Sequence, residues 1–591
     1  MRSIKSVLCS ALGLWLAGCA ATATAPVSVE KTPDPLEARL SIDPEVVTGE
    51  LANGLRYVIS KNAKPEKRAE LRLTIDVGSI LEEDQQQGLA HFAEHMAFNG
   101  TRNFAKQELV DYLESIGMRS GADLNAATSF DTTVYMLTVP TDRVAVMEQA
   151  FQIMEDWAHG VSYEPEEIEK ERGVVVEEWR LGQGAGRRML NAQLPIILKD
   201  SRYAERLPIG EKAVLDTFDH AALTDFYRAW YRPELMAVIA VGDFDPDWIE
   251  ERITTYFSRL SPAAAAPERP LYRVPDHEET LFAIAADPEA TNSSVTVYYK
   301  QDRQPEGSVG DYRRHLLQSL YHRMLNQRLY ERTVQAEPPY LQGVSTQGRM
   351  VRSKDAYMLR AVVVDNGIDR GLEAILQEAR RVLLYGFSAA ELEREKKAML
   401  RRIEQAYRER DKTRSDRFAA EYKRSFLTGE PIPGLEYEYG FYKSFVPEIE
   451  LEEVNSLADR WLRTGNRVIA VSAPAKEGVE LPQGEDLLAL FADVAARDVA
   501  PYVENVAAHS LMEQGPPLAA IGARDTIPEL GLTRWRLQNG AEVLLKPTDF
   551  KNDEVLFAAS SPGGFSLASD AEYIAARTTD GAVSYTHLTL P

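Results

Sequence analysis

An α+β sandwich fold, built more than once along the chain, is predicted from three observations. At 591 residues the chain is too long for a single hydrophobic core. Strand-like and helix-like apolar patterns alternate in an irregular order, which suits a mixed sandwich better than a strict parallel repeat. Short segments also recur far apart. Trp230-Tyr231-Arg232-Pro233, followed by Val238-Ile239-Ala240-Val241, is echoed by Trp461-Leu462-Arg463-Thr464 followed by Val468-Ile469-Ala470-Val471. Leu51-Ala52-Asn53-Gly54 is echoed by Leu537-Gln538-Asn539-Gly540. Segments repeated in this way suggest duplicated domains, with a third copy beginning near Leu532.

The elements follow in order. Leu55–Ile59 and Leu71–Val77 read as strands, the second alternating apolar with polar residues. Helices are expected over Gln86–Phe98 and Lys106–Ile116, then a strand at Val134–Val139. Long helical patterns cover Arg143–His159 and Pro165–Leu181, and Met236–Val241 has the unbroken apolar run of a buried strand. Gly182-Gln183-Gly184-Ala185-Gly186 follows a helix rather than a strand, so it reads as a helix stop and not as a phosphate-binding loop. After the Pro- and Ala-rich stretch Ser261–Pro267, strands are expected at Leu281–Ala285 and Ser294–Tyr299. Helices follow at Asp311–Thr333, Gly371–Leu384 and Ala389–Thr428. His315 and His322 on the first of these have no acidic neighbours in pattern and read as structural or exposed.

Composition narrows the classes. A net charge of −23 disfavours nucleic-acid binding, which needs a basic face to displace counterions. Most of the acid reads as solvated helix surface, with an acidic chamber for basic peptides as the alternative. The only cysteines are Cys9 and Cys19, so the body holds no disulfide and any metal there must use His, Asp or Glu. Arg2 and Lys5 precede an apolar run, Val7–Ala17, of the length of a signal-peptide core. It ends in Leu16-Ala17-Gly18-Cys19, which resembles a bacterial lipobox. That resemblance implies cleavage before Cys19 and lipidation of its thiol; ordinary secretory cleavage near Ala21–Ala25 is the alternative. No later segment is long and apolar enough to span a membrane.

The chemistry concentrates in Gly88-Leu89-Ala90-His91-Phe92-Ala93-Glu94-His95-Met96. On a helix, Leu89, Phe92, Ala93 and Met96 form a core-facing stripe. His91 and His95, at i and i+4, point the same way and can grip one ion, with Glu94 beside them. Zinc in a catalytic site takes three protein ligands, so a third is needed. Glu171-Arg172-Gly173-Val174-Val175-Val176-Glu177-Glu178 supplies candidates. Glu171 and Glu178, seven apart, share a helix face, and pattern alone does not choose between them.

His91-Phe92-Ala93-Glu94-His95 resembles the inverted zinc motif of the pitrilysin/insulinase family of metallopeptidases, and the Glu171–Glu178 run resembles that family's distal ligand helix. The resemblance implies duplicated LuxS/metallohydrolase-like sandwich domains and a zinc endopeptidase with one Zn2+ per chain. It makes His91, His95 and Glu178 the ligands, Glu94 the base that activates a zinc-bound water, and Glu171 a supporting residue. Leu124-Asn125-Ala126-Ala127-Thr128-Ser129 resembles the family's edge strand, where Asn125 and Ala126 would hold substrate backbone. Arg206-Leu207-Pro208-Ile209-Gly210 resembles a family loop.

The expected organisation is therefore a lipoprotein signal peptide at 1–19, a tether at 20–43 and a catalytic domain at 44–260. A linker at 261–278 leads to a second, non-catalytic domain at 279–473. A joining segment at 474–530 leads to the start of a truncated third copy at 531–580. The tail 581–591 fits no element and resembles sequencing-adapter read-through. The expected partners are unfolded peptides and no nucleic acid, with a membrane met only through the N-terminal lipid and the envelope periplasm as the site of action. A missing C-terminal half would close the chamber, so a peptide-binding fragment or scaffold subunit without turnover stands as the rival.

Overall fold

The computed structural model describes residues 34–578 except 107, 116–117, 120, 122, 262–266, 505–514 and 516. The signal peptide, Cys19 and the 581–591 tail lie outside the described residues. The first sheet contains β1 (Val46–Glu50), β2 (Arg56–Lys61), β3 (Arg68–Ile75), β4 (Leu124–Thr128), β5 (Thr133–Pro140) and β6 (Met236–Gly242), in the order β1-β2-β6-β3-β5-β4. The second contains β7 (Leu281–Asp287), β8 (Ser293–Asp302), β9 (Gln342–Val351), β10 (Lys354–Val363) and β11 (Arg467–Pro474), in the order β7-β11-β8-β10-β9.

The two orders are one topology used twice. β2 pairs with β6 in parallel, as β7 does with β11. From there, β6-β3-β5-β4 and β11-β8-β10-β9 are antiparallel throughout. The Val-Ile-Ala-Val echo falls on β6 and β11, at equivalent places in the two sheets. This is the duplicated α/β sandwich of the pitrilysin/insulinase type.

Every residue of β6 is buried because both of its faces are covered. Met236, Val238 and Ala240 join the main first-domain core, whereas Ile239 and Val241 pack with Ala419 and Tyr422. The second set comes from the helix Ser415–Thr428, which belongs to the second repeat yet lies on the first sheet. The exchange is mutual. The helix Ala185–Ile197 of the first repeat lies on the second sheet, where Gln193 Nε2 donates to the backbone oxygens of Ala283 and Val471 at 3.1 and 2.8 Å. The polar positions Glu70, Arg72 and Thr74 of β3 are thus not solvated. Arg72 lies under the crossing helix, and its Nη2 donates to Asp416 O at 3.1 Å.

Two local readings change. The helix expected over Ala389–Thr428 is broken into Ala389–Arg408, a 3-10 turn Arg410–Lys412 and Ser415–Thr428. First-domain groups hold the break: Ser415 N donates to Lys64 O at 2.8 Å, and Asn62 Nδ2 donates to Thr413 O at 3.0 Å. The Gly182–Gly186 stretch does stop the preceding helix at Leu181, but a new helix starts at Ala185, so it is a corner between two helices.

Beyond the second sheet the chain forms the helix Gly484–Ala496 and a three-stranded sheet, β12 (Ile521–Ile527), β13 (Leu532–Leu537) and β14 (Glu542–Leu545). β13 and β14 form a hairpin across Asn539-Gly540, the counterpart of β1 and β2 across Asn53-Gly54. No helix of the described residues is long and apolar enough to cross a membrane.

Candidate metal centre

The centre begins with the helix Leu89–Met96, shorter than the pattern suggested. Its apolar stripe, Leu89, Phe92, Ala93 and Met96, is fully buried in the first core. Two glycines set its start. Gly88 has φ +101°, and a Cβ on Gly210 would come within 2.3 Å of Gly88 Cα. The Arg206–Gly210 loop therefore packs backbone to backbone on the helix entry. With no side chain at the cap, the first N–H groups need another acceptor. Glu82 provides it: the N–H groups of Gly88 and Ala90 donate to its carboxylate at 3.0 and 2.7 Å. Burial pushes the Glu82 carboxyl up to about 8 against these hydrogen bonds.

His91 and His95 rise from this helix with Nε2 facing Nε2 at 3.3 Å. Glu178 comes from the helix Pro165–Leu181, with Oε1 3.7 Å from His91 Nε2 and Oε2 3.2 Å from His95 Nε2. Donors bound tetrahedrally to zinc at about 2.0–2.1 Å stand about 3.3 Å apart, so this spacing fits the ion. The donor chemistry fits too. Nδ1 of His95 lies 2.7 Å from Glu171 Oε1, an acid oxygen that needs a proton donor. The proton on Nδ1 leaves Nε2 bare, aimed at a second imidazole nitrogen and a carboxylate. A cation satisfies that set. Among the described residues this is the group of His, Cys, Asp and Glu side chains that converges closely enough to hold a metal.

The surroundings tune each group. Burial, then the charge of His95, pulls His91 down to about 3, so its imidazole is neutral at neutral pH. Burial also pulls His95 down, but its hydrogen bond to Glu171 and the carboxylates of Glu171, Glu178 and Glu94 outweigh it and raise the group. Glu171 is itself held, because Asn99 Nδ2 donates to its Oε2 at 2.8 Å and to His95 O at 3.1 Å. Glu94 is buried, at 7% exposure, and burial raises its pKa, opposed by a hydrogen bond from Thr128. That bond runs from Thr128 Oγ1 to Glu94 Oε2 at 2.5 Å.

Thr128 ends β4, the edge strand of the sheet, which has no partner strand on its outer side among the described residues. Asn125 and Ala126 lie on the same strand; Asn125 is exposed, and its Oδ1 accepts from Ala126 N at 2.9 Å. They line a cleft of about 440 Å3 together with Glu94, His95, Asn99 and Glu171. A larger cleft, about 830 Å3, opens on the other side of Glu178 between Val174, Leu181 and Ile209. The structure thus brings His91, Glu94, His95, Glu171 and Glu178 together and sets Asn125 and Ala126 at the rim. Thr128, Asn99 and Glu82 were not singled out in the sequence. Thr128 had a signal, since it shares a strand face with Ala126, two residues before it. His322 is remote from the centre: it stacks on Trp461 and its Nδ1 meets Ser345 Oγ at 2.9 Å, inside the second domain.

Fold and site define a duplicated sandwich protein whose first copy carries a His-His-Glu cluster that could hold a metal ion, beside a buried carboxylate. Comparison with known proteins agrees. Residues 57–192 match the family model "Insulinase (Peptidase family M16)", and residues 217–399 match "Peptidase M16 inactive domain". The chain belongs to this insulinase/pitrilysin family. It is 34% identical to "Zinc protease PQQL-like" of Arabidopsis thaliana, over 89% of this chain and 52% of that protein. It is 31% identical to "Probable zinc protease PqqL" of Escherichia coli, over 90% of this chain and 57% of that one. The crystal structure of the first half of the periplasmic protease PqqL from Escherichia coli superposes with a TM-score of 0.74 at 29% identity, covering 79% of this chain and all of that one. The chain thus spans a little over half the length of the curated relatives it matches.

Proposed function

We propose that this chain carries the catalytic half of a zinc-dependent endopeptidase that hydrolyses unfolded peptides in the bacterial envelope. The observation that carries the reading is a buried carboxylate, Glu94, on the same short helix as two histidines that converge with Glu178. His91, His95 and Glu178 would hold one zinc ion. Bound there, zinc supplies a Lewis acid that polarises a peptide carbonyl and makes water a stronger acid. Glu94 takes the proton of the attacking water and later hands it to the leaving amine. Its raised pKa, from burial, suits a group that must both accept and return a proton. Glu171 fixes the His95 ring through Nδ1, and Asn99 fixes Glu171.

Substrate enters as an added strand. The outer edge of β4 offers the backbone of Ala126 and the exposed side chain of Asn125, next to the cleft that holds Glu94. Recognition through main-chain groups requires an extended segment and tolerates many sequences. The relatives' extra length supports a further half that would close over this site. The same fact supports a second reading, a fragment that binds peptides without turnover. Lipidation at Cys19 belongs to the proposal and is tested by mass spectrometry of the membrane-extracted protein.

The deciding experiment compares the zinc-loaded chain with Glu94→Gln on an unstructured peptide. Cleavage by the wild type, lost in the variant, supports the endopeptidase. Equal cleavage by both removes Glu94 from the role of base. Binding of the peptide by both without any cleavage establishes the second reading.

A further inference from the structure

Asp131 lies in the short loop Ser129–Thr132 that joins β4 to β5. Thr128, which holds Glu94, is the residue just before this loop. The first domain grips the loop from two sides. Ser79 N and Ile80 N donate to Ser129 O and Phe130 O at 3.2 and 2.8 Å, and the Tyr203 hydroxyl donates to both carboxylate oxygens of Asp131 at 3.2 and 3.1 Å. A third grip comes from the second domain. Arg352, in the tight turn between β9 and β10, donates through Nη1 to Asp76 Oδ2 at 2.8 Å and through Nη2 to Asp76 Oδ1. Its Nε stands 3.4 Å from Asp131 Oδ1. Arg269, in the segment between the domains, donates to Asp76 O at 2.7 Å and to Asp131 Oδ1 at 3.2 Å.

Two arginines and two aspartates therefore meet with balanced charge, each side chain 10–17% exposed. Asp76 follows β3 directly and Asp131 precedes β5, so the pair of carboxylates marks two neighbouring strand ends. A guanidinium fork that reaches both fixes their relative position, which a single ammonium could not do.

We propose that Arg352 of the second domain is a positioning residue for the first-domain site: it clamps the β4–β5 hairpin so that Thr128 keeps the Glu94 carboxylate aimed and the free edge of β4 stays aligned with the metal centre. This rests on the peptidase reading of the site. The ion-pair partners of Arg352 are Asp76 and Asp131, not His91, His95 or Glu178. Its loss therefore leaves zinc binding intact and shows in turnover, because displacing a reacting group by about 1 Å costs roughly 100-fold. The second domain, which does not supply His91, His95 or Glu178, thereby takes a defined part in the reaction.

The test uses the full chain loaded with zinc, with R352M, R352K, D131N, T128V and T128S. R352M is expected to lower kcat by about 10- to 100-fold on an unstructured peptide at unchanged zinc content, with R352K between it and the wild type. T128V lowers kcat in the same direction and T128S restores it. Amide hydrogen exchange reads the clamp without any turnover: R352M and D131N speed exchange over residues 124–133 and leave 89–96 unchanged. A hairpin that exchanges as in the wild type in both variants overturns the proposal. So does an R352M enzyme with a lower melting temperature but wild-type kcat below it. If the wild type cleaves no peptide, the peptidase reading fails, and the exchange data alone decide whether the clamp exists.

Discussion

Glu171 Oε1 lies 2.7 Å from Nδ1 of His95, and this contact fixes which nitrogen of the ring is free for a cation. A carboxylate behind a ligating histidine orients the ring and raises its basicity. Glu171→Ala removes that acceptor and also leaves Asn99 Nδ2 without one of its two partners. The expected result is a zinc affinity weaker by about 10- to 100-fold, read by chelator competition, with Glu171→Gln showing a smaller loss. Wild-type affinity in the alanine variant would separate Glu171 from the metal centre altogether.

Glu94 is placed differently, since it bonds to Thr128 rather than to either imidazole. Glu94→Gln keeps the shape and can still accept from the Thr128 hydroxyl. Peptide hydrolysis should fall by about 100- to 10,000-fold while zinc content and thermal midpoint stay near wild type. Loss of zinc in this variant would make Glu94 a ligand and not the base.

How much of this was legible in the sequence depends on the distance each feature spans. His91, Glu94 and His95 lie within one helical turn and a half, so spacing alone places them. Glu171 and Glu178 share a helix face, and pattern left them equal; the structure separates them by depth. Glu171, 13% exposed, meets Nδ1 of His95, whereas Glu178, 49% exposed, reaches the Nε2 atoms of both rings. The bond between Thr128 and Glu94 joins a strand to a helix 34 residues away, which no local pattern records. The break after Arg408 contains neither Gly nor Pro, and contacts from Asn62 and Lys64 impose it. Strand β9 was also unread. As an edge strand it is polar and only partly buried, so it lacks the alternation that reveals a central strand.

The second domain holds a buried ion pair whose loss should be felt in stability. Arg328 donates through Nε and Nη2 to the two oxygens of Glu391, both at 2.7 Å, with the side chains 2% and 1% exposed. Glu391 also accepts from Ser388 N at the start of its helix. Arg328→Met leaves a buried carboxylate without its counter-charge and is expected to cost about 3–5 kcal/mol in urea unfolding. Arg328→Met with Glu391→Gln should recover part of that, because an amide needs no cation. A single variant as stable as the wild type would show that the carboxylate finds water or another partner.

Lys300 gives a pH signature in the opposite sense to a salt-bridged lysine, whose contribution falls as pH rises. Its side chain is 4% exposed and Nζ donates to Ile197 O at 3.0 Å. Burial, joined by the charge of Lys354 and opposed by Asp276, pulls the ammonium down to about 8, from about 10.4 in an unfolded chain. Between these values the unfolded state binds more protons than the folded one, so the group's contribution to stability rises with pH. Below about pH 8 the folded protein carries the full cost of a buried ammonium; above it the folded state sheds the proton and the cost fades. Denaturant midpoints of the wild type and Lys300→Met, compared at pH 7.5 and 9.5, isolate this group from the rest of the titrating surface. The wild type should gain on the variant as pH rises across that interval. A wild type that gains nothing on the variant would mean the lysine is charged to the same extent in both states, and one that loses ground would mean the fold holds the proton more tightly than the unfolded chain does.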